Sequence, residues 1–159
     1  MRLIGIAAPK GSGKTTFAEM LKRGLEDNFQ QQTKVFPFAG PLKEACWALF
    51  GGERRHWYGS DQDKNEPFTY WSAALGEMYS TPRRILQTVG TNVFRQHVDK
   101  EFWLVAFNTK LKDNITVPVV IVDDVRFENE AKYIRQVGGT IIHLTRLNIN
   151  WSKEHESEC

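Results

Sequence analysis

Apolar and polar positions fall into blocks along this chain. The run Leu3-Ile4-Gly5-Ile6-Ala7 has the continuous character of a strand covered on both faces, and a glycine-rich turn separates it from the helix-like segment Phe17-Ala18-Glu19-Met20-Leu21-Lys22. Residues 34–39 predict a second short strand, with Pro37 marking an edge position or a strand end. Gly40-Pro41 opens a helix over 42–50, with proline in the first turn, and Gly51-Gly52 closes it. Residues 53–80 break the pattern. They are polar, aromatic and turn-rich, with Gly59-Ser60-Asp61 and Asn65-Glu66-Pro67, and read as an insert or lid rather than core. Thr81 as N-cap and Pro82 at the first helical position start a helix that runs to about His97. Residues 101–112 predict another helix, with Phe102, Val105 and Ala106 facing inward and Leu104 beside them. Residues 117–122 are a near-continuous apolar run that suits a buried parallel strand. A helix over 128–137 is stopped by Gly138-Gly139, and 140–145 form a fourth strand.

Strands alternating with helices imply an α/β fold, a parallel sheet with right-handed crossovers. A length of 159 residues fits one domain, 1–159, carrying the insert at about 53–80. Ligands on such sheets bind beyond the carboxyl ends of the strands. The net charge of +2 removes any electrostatic demand for nucleic acid or an anionic membrane, and no apolar run is long enough to span a bilayer. Cys46 and Cys159 match no metal or redox spacing and read as reduced thiols of a cytosolic protein. The opening Met1-Arg2-Leu3-Ile4 runs straight into a strand and does not read as a signal peptide. His56, His97, His143 and His155 are scattered and read as surface or packing residues.

Chemistry concentrates first in Ala8-Pro9-Lys10-Gly11-Ser12-Gly13-Lys14-Thr15-Thr16. Strand, glycine turn, Lys-Thr and helix is the layout of a phosphate-binding loop. Glycines let backbone N–H groups converge on one anion, and the helix N-terminus adds partial positive charge. Lys14 would reach the β- and γ-phosphates, and the hydroxyl of Thr15 or Thr16 would hold Mg²⁺. Ala8 stands where the usual pattern has its first glycine.

Three further groups narrow the reading. The run Val119-Val120-Ile121-Val122-Asp123-Asp124-Val125-Arg126 ends an apolar strand in acid, where a carboxylate can orient Mg²⁺ or its waters. Arg126 lies two residues past Asp124, on the same side of an extended chain. On the helix from Thr81, Leu86, Val89, Val93 and Ile85 supply an apolar face, while Arg84, Gln87 and Thr91 recur at helical spacing, flanked by Arg83, Gly90 and Asn92. Two arginines in a first turn oppose the helix dipole, a cost that phosphate binding would explain; a solvated cationic face is the competing reading. Gly90 inside a helix costs ~1 kcal/mol relative to Ala. Either a ligand or a tight helix crossing at Gly90 accounts for it. Lys43 sits beyond the second strand, and Trp47, one turn on, reads equally as a base-stacking or a core residue.

Taken together, Gly11-Ser12-Gly13-Lys14, Ala39-Gly40-Pro41-Leu42-Lys43, Arg83-Arg84-x-x-Gln87-x-x-Gly90-Thr91 with Arg95, Trp103, and Asp124-Val125-Arg126-Phe127-x-Asn129-Glu130 resemble the phage-type deoxynucleoside monophosphate kinases. The resemblance spans nearly the whole chain in matching order. It implies a P-loop NTPase three-layer fold of the nucleoside monophosphate kinase kind, and transfer of the ATP γ-phosphoryl group to a deoxynucleoside monophosphate. It further implies Lys10, Gly11, Ser12, Gly13, Lys14, Thr15 and Thr16 on the ATP phosphates. Arg83, Arg84 and Arg126 would hold the acceptor phosphate and transferring group, and Lys43, Trp47, Gln87, Gly90, Thr91, Trp103 and Glu130 would shape or support the acceptor site. Thr15, Asp123 and Asp124 would serve Mg²⁺. The aromatic stretch 57–71 would be a water-excluding cover. The expected partners are ATP and the monophosphate, with no nucleic acid or membrane, in the cytoplasm (the host's, if phage-encoded). Relatives of this type continue from a His-x-Ser-Glu segment into another strand, so the sheet is expected either to lack its last strand or to be completed differently. An exposed edge of that kind invites a homodimer. Two departures stand out: many relatives have Asp where this chain has Thr15, and the adenine pocket built by the last strand is in question. A kinase for another phosphorylated acceptor and a nucleotide-binding protein without transferase activity remain rival readings. The chain has no Asn-Lys-x-Asp guanine-reading motif, which argues against a GTPase switch.

Overall fold

The computed structural model describes residues 1–9, 11–114 and 116–145. Lys10, and the Cys159 and His155 readings with the rest of the C-terminal segment, lie outside the described residues. The described chain forms two compact units, one from residues 1–38 with those from 108 onward, the other from residues 39–107.

The first unit is a parallel sheet. Strands β1 (Arg2–Ala7), β2 (Thr33–Val35), β3 (Val119–Val125) and β4 (Thr140–His143) lie in the order β2-β3-β1-β4. β1 pairs with β3 from Arg2↔Val119 and with β4 from Ile4↔Thr140, while β2 pairs with β3 from Thr33↔Val119. Side-chain alternation puts helices on both faces. Ile4 and Ile6 pack with Phe17, Ala18, Leu21 and Leu25 of α1 (Lys14–Phe29). Gly5, of opposite parity, faces Ile134 of α8 (Glu128–Gln136) so closely that an added Cβ would lie 2.6 Å from the Ile134 Cδ1. Helix, sheet, helix is the three-layer arrangement expected.

Two boundaries have clear causes. β2 ends at Val35, earlier than the expected 34–39: Phe36 N–H still donates to the Ile121 carbonyl (2.8 Å), but the next N–H on that side, that of Phe38, goes to the Asp124 carboxylate (2.7 Å) instead of a β3 carbonyl. β2 is also an edge strand, so both readings of Pro37 hold. α8 ends in a Schellman motif, with Gly139 N–H on the Ile134 carbonyl (2.8 Å) and Gly138 N–H on the Arg135 carbonyl (3.0 Å).

The second unit is helical: α2 (Gly40–Phe50), α3 (Arg54–Tyr58), α4 (Asp61–Lys64), α5 (Thr69–Leu75), a 3₁₀ turn at Glu77–Tyr79, α6 (Pro82–Gln87), and the start of α7 (Phe102–Asn114). Between α6 and α7 the chain winds as a π-helix over Thr88–Val98, closed by Asp99 N–H on the Phe94 carbonyl five residues back (2.9 Å). This winding replaces the single α-helix expected over 81–97 and moves its faces. Thr88, Val89, Gly90 and Thr91 are buried in succession with Ile85, whereas Val93, expected inside, is 41% exposed.

On α7 Phe102 and Ala106 pack against the core as expected, whereas Val105 is 62% exposed; the buried residues are Trp103, Phe107 and Leu111, at steps of four. Residues 53–80 are not a coreless insert. Trp57 is fully buried and clusters with Leu42, Cys46, Ile85, Val89 and Trp103, and its indole N–H donates to the Gly51 carbonyl (2.9 Å). Phe68 packs edge-on against it, while Phe50 stacks with Tyr79 and meets Trp71 edge-on at 4.9 Å. His56 is buried, accepting from Glu53 N–H at Nδ1 (2.9 Å) and therefore donating from Nε2 to Glu66 (3.0 Å). Cys46 is a buried free thiol whose pKa burial pushes up to about 12, so it stays protonated. Among the described residues no helix is long and apolar enough to cross a membrane.

Trp57 gives the direct test of this core. Trp57→Ala is expected to destabilise the whole chain by about 3–5 kcal/mol in denaturant unfolding. Unchanged stability with altered activity alone would return Trp57 to a cover.

Candidate active site

The phosphate-loop residues lie between β1 and α1 in the first unit. Gly11 and Gly13 adopt positive φ, 77° and 86°. At Gly13 a Cβ would meet nothing within 4 Å, so glycine is needed there for backbone conformation and not for space. Buried Ser12 donates from Oγ to the Pro9 carbonyl (2.6 Å), pinning the turn. Lys14 opens α1, and its Nζ donates to the Ala8 (2.8 Å) and Pro9 (2.9 Å) carbonyls. The ammonium is therefore held within its own loop. Thr15 and Thr16 are exposed, and the first turn of α1 contains no acid, which leaves its positive end to an external anion.

The acid strand end belongs to the same unit. Pairing of β1 with β3 shifts between Gly5↔Val122 and Ala7↔Val125, so β3 has one extra residue there: a β-bulge containing Asp123 and Asp124. The bulge breaks strict alternation, and both carboxylates are half-buried. Asp124 Oδ1 accepts from Phe38 N–H (2.7 Å), just past Pro37. One hydrogen bond thus ties the end of β2 to the end of β3. Arg126 is exposed in the turn before α8. Glu130, 3% exposed, reaches back so that one carboxylate oxygen accepts from both Arg126 N–H (2.9 Å) and Phe127 N–H (3.1 Å).

The remaining sequence-derived candidates belong to the second unit. Thr81 Oγ1 caps α6 by accepting from Arg84 N–H (3.2 Å), as expected. Arg83 and Arg84 are both ion-paired, Arg83 Nη2 to Asp61 (2.6 Å) and Arg84 Nη1 to Glu77 (2.6 Å). The dipole cost anticipated for them is thus offset by carboxylates. Sequence reading missed Asp61 and Glu77, which precede their partners by 22 and 7 residues, separations with no local signature. Arg84 is exposed, Gln87 half-buried and Thr91 buried, so the expected stripe runs from solvent into the core. Of the two explanations for Gly90, the tight crossing is observed: an added Cβ would fall 2.6 Å from the Leu42 Cδ2. Buried Trp103 donates its indole N–H to the Gly90 carbonyl (2.9 Å). Lys43 and Trp47 meet at Tyr58, with the Lys43 ammonium 5.4 Å from the ring centroid and the Trp47 ring edge-on at 6.4 Å. Trp47 also donates to the Gly52 carbonyl (3.0 Å) and is 37% exposed.

The donor set in the first unit suits Mg²⁺. A threonine hydroxyl and aspartate carboxylates are the hard oxygens this ion takes, and it commonly uses one or two carboxylates plus substrate phosphates instead of an all-protein cage. Among the described residues no group of three or more His, Cys, Asp and Glu side chains could hold a metal by itself.

An all-parallel sheet with a lysine-bearing glycine turn after its first strand, and acid at the end of the adjoining strand, defines a phosphate-loop nucleotide-binding protein. Comparison with known proteins narrows the class. The family described as deoxynucleotide monophosphate kinase matches residues 62–159. A protein of Acanthamoeba polyphaga mimivirus, provisionally assigned as a deoxynucleotide monophosphate kinase, is 35% identical over 99% of this chain and 81% of its own length. The deoxynucleoside-5′-monophosphate kinase of Escherichia phage T5 is 27% identical over 84% of this chain and 72% of its own. A guanylate kinase of Chlamydia abortus is 34% identical over 52% of this chain and 40% of its own. The chain belongs to the deoxynucleotide monophosphate kinase family.

Glu130 offers a test within the first unit. Glu130→Ala removes a charged acceptor from two N–H groups and is expected to cost about 1.5–3 kcal/mol in denaturant unfolding, with Glu130→Gln recovering most of it. Wild-type stability in the alanine variant would show that this bond does not hold the Arg126 turn.

Proposed function

We propose that this protein transfers the γ-phosphoryl group of ATP to the 5′-phosphate of a deoxynucleoside monophosphate, yielding a deoxynucleoside diphosphate and ADP. The observation that carries the reading is the near end-to-end similarity to a kinase of this family, together with a lysine-bearing glycine loop. An oxygen of the acceptor phosphate forms the new bond to the γ-phosphorus while the bond to the β,γ-bridging oxygen breaks. The acceptor is already anionic, so no proton has to be removed by a strong base. The protein's task is to align two polyanions and neutralise their charge.

In this reading the amides of the loop from Gly11 to Lys14, the Lys14 ammonium and the undescribed Lys10 bind the ATP phosphates. Thr15 or Thr16, with Asp123 and Asp124, would hold Mg²⁺, which neutralises phosphate charge when bound. Arg83, Arg84 and Arg126 grip the acceptor and transferring phosphates, guanidinium forks being matched to phosphate oxygens. Gln87 and Thr91 read the nucleoside, with Trp103 and Gly90 bracing their helix. Lys43 and Trp47 border the acceptor side through Tyr58. Exposed Tyr70, Leu75 and Met78 are the candidate water-excluding surface of the 53–80 segment. Homodimer formation and a cytoplasmic location are part of the same proposal.

The experiment is direct detection of diphosphate product from ATP, Mg²⁺ and each common deoxynucleoside monophosphate. Formation of a deoxynucleoside diphosphate supports the reading, and ADP release without one overturns it. Lys14→Ala and Arg126→Ala are each expected to lower turnover by at least about 10³-fold with an unchanged circular-dichroism spectrum, and near-normal turnover in either would refute its assignment. Arg84→Ala is expected to raise KM for the monophosphate about tenfold, one lost charged contact being worth about 1.4 kcal/mol, while KM for ATP stays within about twofold. Equal rises in both would remove Arg84 from the acceptor side.

A further inference from the structure

The two arginine pairs of the second unit differ. The Arg83 side chain is 18% exposed, and its partner Asp61, 64% exposed, opens a braced turn; the pairs differ in the burial of the arginine and in the bracing of the acid. Ser60 caps that turn by accepting from Asp63 N–H (3.2 Å), and Asp63 accepts in return from Ser60 N–H (2.7 Å). Arg55 ties Asp63, Glu53 and Glu66 together, and Lys64 Nζ donates to the Gly59 carbonyl (2.5 Å). Arg84 is 49% exposed, and its partner Glu77, on a three-residue 3₁₀ turn, is 79% exposed. Water and salt screen such a pair, so it is easily exchanged. A largely buried guanidinium cannot lose its counter-ion so cheaply.

We propose that Asp61 is a positioning residue that orients the Arg83 guanidinium for the acceptor phosphate, whereas Glu77 is an exchangeable partner of Arg84. The proposal rests on the reading of Arg83 as an acceptor-phosphate ligand. Arg83 is a long side chain next to a second cation in the first turn of a helix, where both mutual repulsion and the helix dipole push it outward. The Asp61 carboxylate oxygen, accepting from Arg83 Nη2 (2.6 Å), draws that end of the guanidinium to one place. Because Asp61 comes from a turn held by its own hydrogen bonds, that place is set before substrate arrives. Pre-set donors bind an anion without paying again for side-chain ordering.

The test compares Asp61→Asn, Asp61→Glu, Glu77→Gln, Arg83→Ala and the double variant Asp61→Asn/Arg83→Ala. Turnover gives KM for the monophosphate and for ATP, and calorimetric titration with the four common deoxynucleoside monophosphates gives Kd where turnover is too low. Asp61→Asn is expected to weaken monophosphate binding about tenfold, as small misplacements of a binding group do, with KM for ATP within about twofold. Asp61→Glu recovers part of the loss, and Glu77→Gln changes monophosphate affinity by less than about twofold. In the Arg83→Ala background Asp61→Asn adds nothing. Tighter monophosphate binding in Asp61→Asn would overturn the proposal, showing that Asp61 competes with phosphate. Equal loss for both substrates, or an undiminished effect without Arg83, would overturn it in favour of a structural role. Unchanged monophosphate affinity in Arg83→Ala would overturn both this proposal and the acceptor role of Arg83. Weakened affinity in Arg83→Ala with wild-type behaviour in Asp61→Asn would overturn the positioning role alone.

Discussion

Positive side chains are unfavourable at the positive end of a helix, yet Lys14, Arg83, Arg84 and Arg126, four of the cations proposed to bind phosphate, lie at or beside one. Lys14 is the first residue of α1, Arg83 and Arg84 lie in the first turn of α6, and Arg126 immediately precedes the N-cap of α8. In each case the chain supplies oxygen to hold the arrangement: two loop carbonyls for Lys14, a carboxylate each for Arg83 and Arg84, and the Glu130 carboxylate for the backbone that carries Arg126. Cation, N-terminal amides and dipole all attract the same kind of ligand, a multiply charged anion.

The rest of the first unit serves to fix those ends. The bulge in β3 turns Asp123 and Asp124 out of strict alternation, and the Asp124 carboxylate takes the Phe38 N–H, which ends the β2 ladder. In the second unit the scaffold is aromatic and helical. Trp57 and Trp103 each use the indole N–H to brace a backbone carbonyl, at Gly51 and Gly90, while their rings fill one apolar cluster. The π-helical stretch begins at Thr88, directly after the last α-helical residue Gln87, so bracing by Trp103 acts where the winding changes.

Much of this was legible in the residues. The glycine loop, the four strands, the Thr81-Pro82 helix start, the Gly138-Gly139 stop and the acid end of β3 all follow from local rules, because turn conformation, N-capping and apolar runs act over a few residues. On α7 the spacing of four places Trp103, Phe107 and Leu111 at the centre of the inward face, with Phe102 and Ala106 flanking it as expected and Val105 outside. Other features had no local signal. Hydrogen bonding to the fifth residue back has no recognisable composition, so the change of winding at Thr88 was invisible. The short helices of 53–80 depend on ring contacts such as Phe50 with Trp71, 21 residues apart, and their polar composition hid a buried tryptophan. The partners of Arg83 and Arg84 were hidden for the same reason, being set by tertiary contact. Family likeness identified the arginines, and the coordinates added what holds them.

The central claim is that two different sets of cations serve two different nucleotides. Phosphorus NMR tests it most directly, with a non-hydrolysable ATP analogue, Mg²⁺ and a deoxynucleoside monophosphate added together to wild type, Lys14→Ala and the double variant Arg83→Ala/Arg84→Ala. The account predicts that the lysine variant loses the bound-state shift of the analogue's β- and γ-phosphorus while the monophosphate signal still moves. The arginine variant should lose the monophosphate shift while the analogue's β-phosphorus shift remains. Loss of both sets of shifts in either variant, or the monophosphate shift vanishing with Lys14, would contradict it.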